Sequence, residues 1–265
     1  MRLSAHISGL GFLGPGLANW PEAAAVLAGR QAYRPAPTLL PTPTILAAAE
    51  RRRVGRVVKL AFAIALEATA QAGENPGDLA SVFSSSGGDG HNCHELCQAL
   101  SLAGREVSPT RFANSVHNAA AGYWSIGTGS MAESNVLCAF DASFTAGLLE
   151  ALTQVAVDEI PVLLVAYDSE YPQPLHAKRP IPDACGVAML LTPQRRANSL
   201  ARIEAALSGL DADRFSDPAL EELRCAFPAA RSLPLLRLLA AGGGGTAILD
   251  YLDVSRMEVR IEPCG

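Results

Sequence analysis

Residues 135–151 read NVLCAFDASFTAGLLEA, and the order of residue types in that stretch decides how the chain folds. Asn135–Phe140 is a short apolar run of the length of a buried strand. Ala142–Val157, rich in Ala, Leu and Gly, reads as a helix. A strand that enters a helix through so short a junction puts the junction side chain at a helix N-terminus. Free backbone N–H groups and the macrodipole favour negative charge there. A cysteine in that place would have a lowered pKa and act as a nucleophile. The residue present is Asp141, with Ser143 two positions on. Aspartate is also a strong helix N-cap, a role that needs no chemistry.

Working outward, SPTRFANSVHNAAAGYWSI (108–126) opens on a Ser-Pro-Thr start and continues as a small-residue helix over Ala119–Ile126. Before it, LASVFSSSGGDG (79–90) is a β-branched and aromatic run that enters a Ser/Gly loop, the pattern of a strand ending at a working edge. Residues 91–103 read as helical, and so does Ala47–Gly73, with Leu60, Ile64 and Leu66 near one face and Gly73 as the stop. Residues 3–13 read as a strand, and residues 20–48 as an irregular Pro- and Ala-rich segment with short helical pieces. Downstream, Pro161–Tyr167 and Cys185–Leu191 are two more buried strands. Ala201–Leu207 is strand or helix, and MEVRIEP (257–263) is a terminal strand. The glycine run 242–245 lacks the ending of a phosphate loop and reads as a turn. Alternating buried strands and helices predict an α/β fold with a covered, largely parallel core sheet.

These segments together resemble the thiolase-fold β-ketoacyl synthases. NVLCAFDASFTAGLLEA resembles their A-C-(A/S)-(T/S)-G segment and Ala-rich helix, and counting back from Ala151 puts the family's cysteine position on Asp141. SPTRFANSVHNAAAGYWSI resembles their N-P-x-x-F…N…A-G-x-x-S-I stretch, and SSSGGDG (84–90) their Gly-rich loop. CGVAMLLT (185–192) resembles a later strand without its two glutamates. The run FANSVHNAAAGYWSI followed by DASFTAGLLEA is similar to a short subgroup, the chain length factors of aryl polyene and related type II polyketide systems. The resemblance implies a truncated thiolase-like α/β domain over 1–265, with 1–192 as the N-terminal half and 193–265 as a shortened C-terminal remnant.

A full ketoacyl synthase also needs two later histidine motifs. Histidine stands here only at 6, 91, 94, 117 and 176, none in that context. Decarboxylative condensation needs its nucleophile, oxyanion and proton partners together. The resemblance therefore implies a non-catalytic subunit that pairs with a full-length β-ketoacyl-ACP synthase and shapes its acyl-chain tunnel, an acyl carrier protein reaching the complex through that partner. The expected interface and tunnel set is Phe112, Asn114, His117, Asn118, Tyr123 and Trp124 from the first segment. From the second it is Asn135, Val136, Leu137, Cys138, Phe140, Asp141, Ser143 and Phe144, with Asn135–Phe140 as the pairing edge. Phe112, Tyr123, Trp124 and Phe144 are the expected chain-length determinants. Half of a layered fold would expose a large apolar face, a second reason to expect a partner. The alternative is an acyltransferase or hydrolase using Ser143 with His117 as base, although no Gly-x-Ser-x-Gly elbow is present.

Composition agrees with a packed protein. Of 265 residues, 49% are hydrophobic and 18% charged, which excludes a disordered chain. The net charge of −5 argues against nucleic acid as a ligand. The dense basic run is Arg51-Arg52-Arg53 with Arg56 and Lys59, read either as a solvated helix start or as a docking spot for an acidic partner. No signal peptide or membrane span is visible, so a cytoplasmic protein is expected, and six scattered cysteines suit reduced thiols. His91, Cys93, His94 and Cys97 lack the second ligand pair of a zinc site and read as a core-facing helix with buried thiols. No cofactor or metal is expected.

Overall fold

The computed structural model describes residues 2–265. In chain order the elements are β1 (Leu3–Leu13), α1 (Trp20–Leu27), α2 (Ala48–Arg51), α3 (Arg56–Ala72), β2 (Ala80–Ser84) and α4 (Gly90–Ser101). They continue with α5 (Pro109–Asn114), α6 (Ala119–Thr128), β3 (Ser134–Leu137), α7 (Ser143–Val157), β4 (Val162–Asp168) and β5 (Cys185–Thr192). The last are β6 (Ala201–Ser208), α8 (Pro218–Ala226), α9 (Leu233–Ala241), β7 (Gly245–Leu252) and β8 (Ser255–Pro263). Residues 201–208 are thus a strand. The helix expected over Ala47–Gly73 breaks between α2 and α3, and Gly73 closes α3 in the left-handed conformation. At the break, a Cβ on Gly55 would lie 2.5 Å from an Asp89 carboxylate oxygen, so another segment packs into the interruption.

The strands form one sheet in the order β3-β2-β4-β5-β1-β6-β8-β7. Only β2–β3 and β2–β4 are parallel; the other pairs are antiparallel, which corrects the expected largely parallel sheet. Continuous apolar runs report burial on both faces, not strand direction. In β4, Val162, Leu164 and Ala166 face a core shared with α1, α7, α8 and α9. Leu163, Val165 and Tyr167 face a second core under α3 and α6.

α3 lies unusually close to β1. A Cβ on Gly9 would sit 2.1 Å from the Ala68 carbonyl oxygen, and one on Gly11 2.0 Å from that of Ile64. β6 covers β1 only from Leu3 to Ile7. Farther along, the free N–H groups of Leu10 and Phe12 donate to Gln71 Oε1 (2.6 Å) and Glu67 Oε2 (2.9 Å) on α3. Side chains of the helix thus replace the missing strand.

The β6–β8–β7 wing does not expose the large apolar face expected of half a layered fold. One face packs under α8 and α9 through Ile203, Ala205, Leu249, Val259 and Ile261. The other is charged: Arg202 stands opposite Glu262, and Glu204 opposite Arg260. ARIEAALS and MEVRIEP alternate with period 2, so each strand carries one apolar and one polar side.

Candidate functional site

The parallel trio β3, β2 and β4 ends at one edge of the sheet, with Ser84 registered to both Leu137 and Ala166. Three loops leave from that edge. They are the Ser/Gly loop after β2, the junction 138–142 after β3, and the segment 169–184 after β4.

The junction is a one-turn 3₁₀ element, Phe140–Ala142, set between β3 and α7. β3 ends at Leu137, three residues short of the expected strand end. The sharp reversal falls on Phe140, at φ 52°, one residue before Asp141. Asp141 caps neither the short turn nor α7, because it lies inside the turn and not ahead of it. Its Oδ1 instead receives Arg179 Nη1 at 2.7 Å. The Arg179 guanidinium also stacks on the Phe140 ring, 3.7 Å from its centroid. Phe140 as a whole is 62% exposed.

Ser143 is buried, and its hydroxyl donates to the Phe140 carbonyl (2.7 Å) and accepts from the Ala139 N–H (3.1 Å). It staples the junction. His117 Nε2 lies 3.0 Å from the Ser85 carbonyl. Among the described residues no hydrogen bond joins Ser143 to His117, the pair of the alternative acyltransferase or hydrolase reading. Cys138 is exposed, with Sγ 3.1 Å from the Ser86 carbonyl.

Asp168, at the end of β4, is a functional candidate that the sequence reading missed. Its buried carboxylate accepts from Ser86 N–H (2.8 Å), Ser86 Oγ (2.6 Å) and Ala229 N–H (3.0 Å). Burial pushes its pKa up to about 6, against the opposing pull of those hydrogen bonds and of Arg179. A polar residue closing an apolar strand (PVLLVAYD) was the signal available. Arg179, in the loop KRPIP, had none.

The expected surface set divides in two. Trp124 and Phe144 are buried inside the chain. Trp124 packs against Phe62 and Phe83 in one core, and Phe144 is buried in the other. Asn114 is also buried, donating to the Arg53 carbonyl (2.7 Å) and accepting from Tyr123 Oη (3.0 Å). Phe112, Asn118, Asn135, Cys138 and Phe140 are exposed, while His117, Tyr123, Val136, Leu137 and Asp141 are half-buried. Among the described residues β3 pairs only with β2, so its outer edge is open. The segment from α5 to the junction also exposes Val116, Ile126 and Met131, the last at 97%.

Two hollows flank α5. One, of about 530 Å³, is lined by Ala113, Val116, Ala119, Gly122, Tyr123 and Ile126, among others. The other, of about 580 Å³, gathers Arg52, Arg53, Arg56 and Arg111 with His91 and Asp89. The arrival of Arg111 beside the basic run was not legible in the sequence. Cys93 and Cys97 are exposed on α4, which corrects the reading of a core-facing helix with buried thiols. Among the described residues no group of three His, Cys, Asp or Glu side chains is placed to hold a metal ion, and no helix is long and apolar enough to cross a membrane.

Residues 19–230 match the family model of the β-ketoacyl synthase N-terminal domain. A search of curated proteins returned no match. Among solved structures, the chain is similar to one in the complex of the ketosynthase ApeO with its chain length factor ApeC from Xenorhabdus doucetiae. The TM-score is 0.72 at 24% identity, over 97% of this chain and 99% of that one. It is similar to a chain of the ishigamide ketosynthase/chain length factor, with a TM-score of 0.71 at 15% identity over 99% and 100%. It is also similar to a chain of AntDE:AntF, a type II polyketide carrier protein in complex with its ketosynthase. There the TM-score is 0.72 at 10% identity, over the full length of both. These likenesses show a thiolase-like α/β fold.

Proposed function

The chain belongs to the β-ketoacyl synthase family, matched over its N-terminal domain, and from that premise we propose that it is a chain length factor. It pairs with a full-length β-ketoacyl-ACP synthase and does not itself catalyse condensation. One observation carries the pairing: β3 leaves its outer edge open, and the segment leading to and from it exposes Phe112, Val116, Ile126, Met131 and Phe140. An open edge beside large exposed apolar side chains is a template for a partner strand.

The non-catalytic reading rests on the junction and on the histidine content of the chain beyond it. Phe140 and Asp141 occupy the turn, the Ser143 hydroxyl is consumed within it, and no histidine comes after His176. The tunnel reading transfers to the determinants that remain at the surface, Phe112 and Tyr123, beside the apolar hollow along α6. Residues 193–265 serve as the shortened remnant of the second half, closing one face of the sheet. The carrier protein meets the complex through the ketosynthase. The guanidinium-lined hollow supports an acidic surface docking nearby, against the overall charge of −5. We place this work in the cytoplasm.

Co-expression with a full-length ketosynthase tests the proposal. The expected result is a stable 1:1 complex by affinity capture and light scattering. A chain that stays monomeric and never co-purifies rules the pairing out. Acyl transfer by the isolated chain that disappears in Ser143→Ala would instead establish the enzyme reading.

A further inference from the structure

Phe140 is exposed although it is the residue on which the junction turns. Its φ of 52° lies in the left-handed region, which side chains with a β-carbon adopt at a cost. The residue is also largely exposed to water, a second cost for an aromatic side chain. The Ser143 hydroxyl holds the turn through the Phe140 carbonyl, but nothing in the chain covers most of the side chain. Strained backbone of this kind persists where the surroundings hold it, and it clusters at functional sites.

The surroundings here are specific. Arg179 lies over one face of the ring at 3.7 Å, and its Nη1 is anchored to Asp141 Oδ1 at 2.7 Å. The Arg179 side chain is only 20% exposed, so the clamp belongs to the body of the protein. One ring face is thereby fixed and the remainder is left open, three residues past the end of β3, the strand at the edge of the sheet. The hollows beside α5 are lined by other residues, so the ring stands apart from them and does not line either.

We infer that Phe140 is the anchor of the pairing surface: a ring held ready by Arg179 and Asp141 for insertion into an apolar pocket of the ketosynthase subunit. This rests on the pairing reading above. Interfaces concentrate their affinity in a few aromatic and arginine residues, and an anchor ordered before contact loses less entropy on binding. Arg179 and Asp141 are then positioning residues, acting through Phe140.

Phe140→Asn tests the assignment, because asparagine tolerates the left-handed turn while the ring is removed. In a titration of the purified chain into the ketosynthase, the expected loss of affinity is roughly 30-fold or more. Arg179→Ala and Asp141→Ala each weaken pairing by a smaller factor, about 3- to 10-fold, with Phe140 still in place. The melting temperature of the isolated Phe140→Asn chain stays at or above that of the wild type, separating pairing from folding. Wild-type affinity in Phe140→Asn overturns the inference. If that complex also shifts product length, the ring belongs to the acyl tunnel. A wild-type chain that does not pair removes the pairing reading and the anchor with it.

Discussion

At the scale of single residues, Asp168 shows how one carboxylate ties separate parts of the chain together. Its two oxygens take N–H groups from the loop after β2 and from Ala229, segments 82 and 61 residues away. Burial makes its charge costly and raises the pKa from 3.8 to about 6. Between those values the folded chain holds a proton that the unfolded chain has released. The contribution of this group is therefore fully present below about pH 4 and is lost as pH rises through 6, a total of about 3 kcal/mol. Denaturant unfolding at pH 4.5 and 7.5 checks the sign. The wild type loses stability over that range relative to Asp168→Asn, whose amide does not titrate. The variant is less stable at both pH values, because its NH₂ group faces the Ala229 N–H.

Among the elements, the contact of α3 with β1 depends most on residue size. The glycines at 9 and 11 let the helix backbone approach the strand, and Glu67 and Gln71 then reach the strand's free N–H groups. Gly11→Ala would place a Cβ 2.0 Å from a carbonyl oxygen of a packed helix, an atom that cannot turn aside. The expected loss is about 3 kcal/mol by denaturant midpoint. Glu67→Ala is expected to cost about 2–4 kcal/mol, because the N–H groups of both Phe12 and Trp20 lose their acceptor. Both changes lie away from the β3 edge, so pairing with the ketosynthase should survive in whatever fraction stays folded.

At the scale of the whole molecule, the charged outer face of the β6–β8 pair changes where a partner is to be sought. That wing offers no large bare apolar face, so the pairing we propose is directed to the β3 end of the sheet. Restoring a thiol is likewise not enough for catalysis. Neither Asp141→Cys nor Phe140→Cys should give condensation by the isolated chain with malonyl- and acyl-loaded carrier protein, because no histidine comes after His176 to support the chemistry. Product release above background by either variant would contradict the non-catalytic reading.

The local patterns of the sequence determined most strands and helices up to residue 192, the burial of β4 and β5, and the family order of the segments from 84 to 192. Over 201–252 they left β6 as strand or helix and did not mark α8, α9 or β7. They also determined the lack of later histidines. Periodicity and residue type are local, and each residue carries its own share of them. Tertiary structure decided the rest. Strand direction is not written in apolar content, so a sheet expected to be largely parallel is mostly antiparallel. Trp124 and Phe144 have the same character whether they face a partner or their own core, and only packing against Phe62, Phe83 and the sheet assigned them inward. The clamp of Arg179 on Phe140 and Asp141 exists because a loop after β4 returns over a turn after β3. No local pattern encodes a meeting between segments that far apart in the chain, since it is the closing of the sheet between them that brings them together.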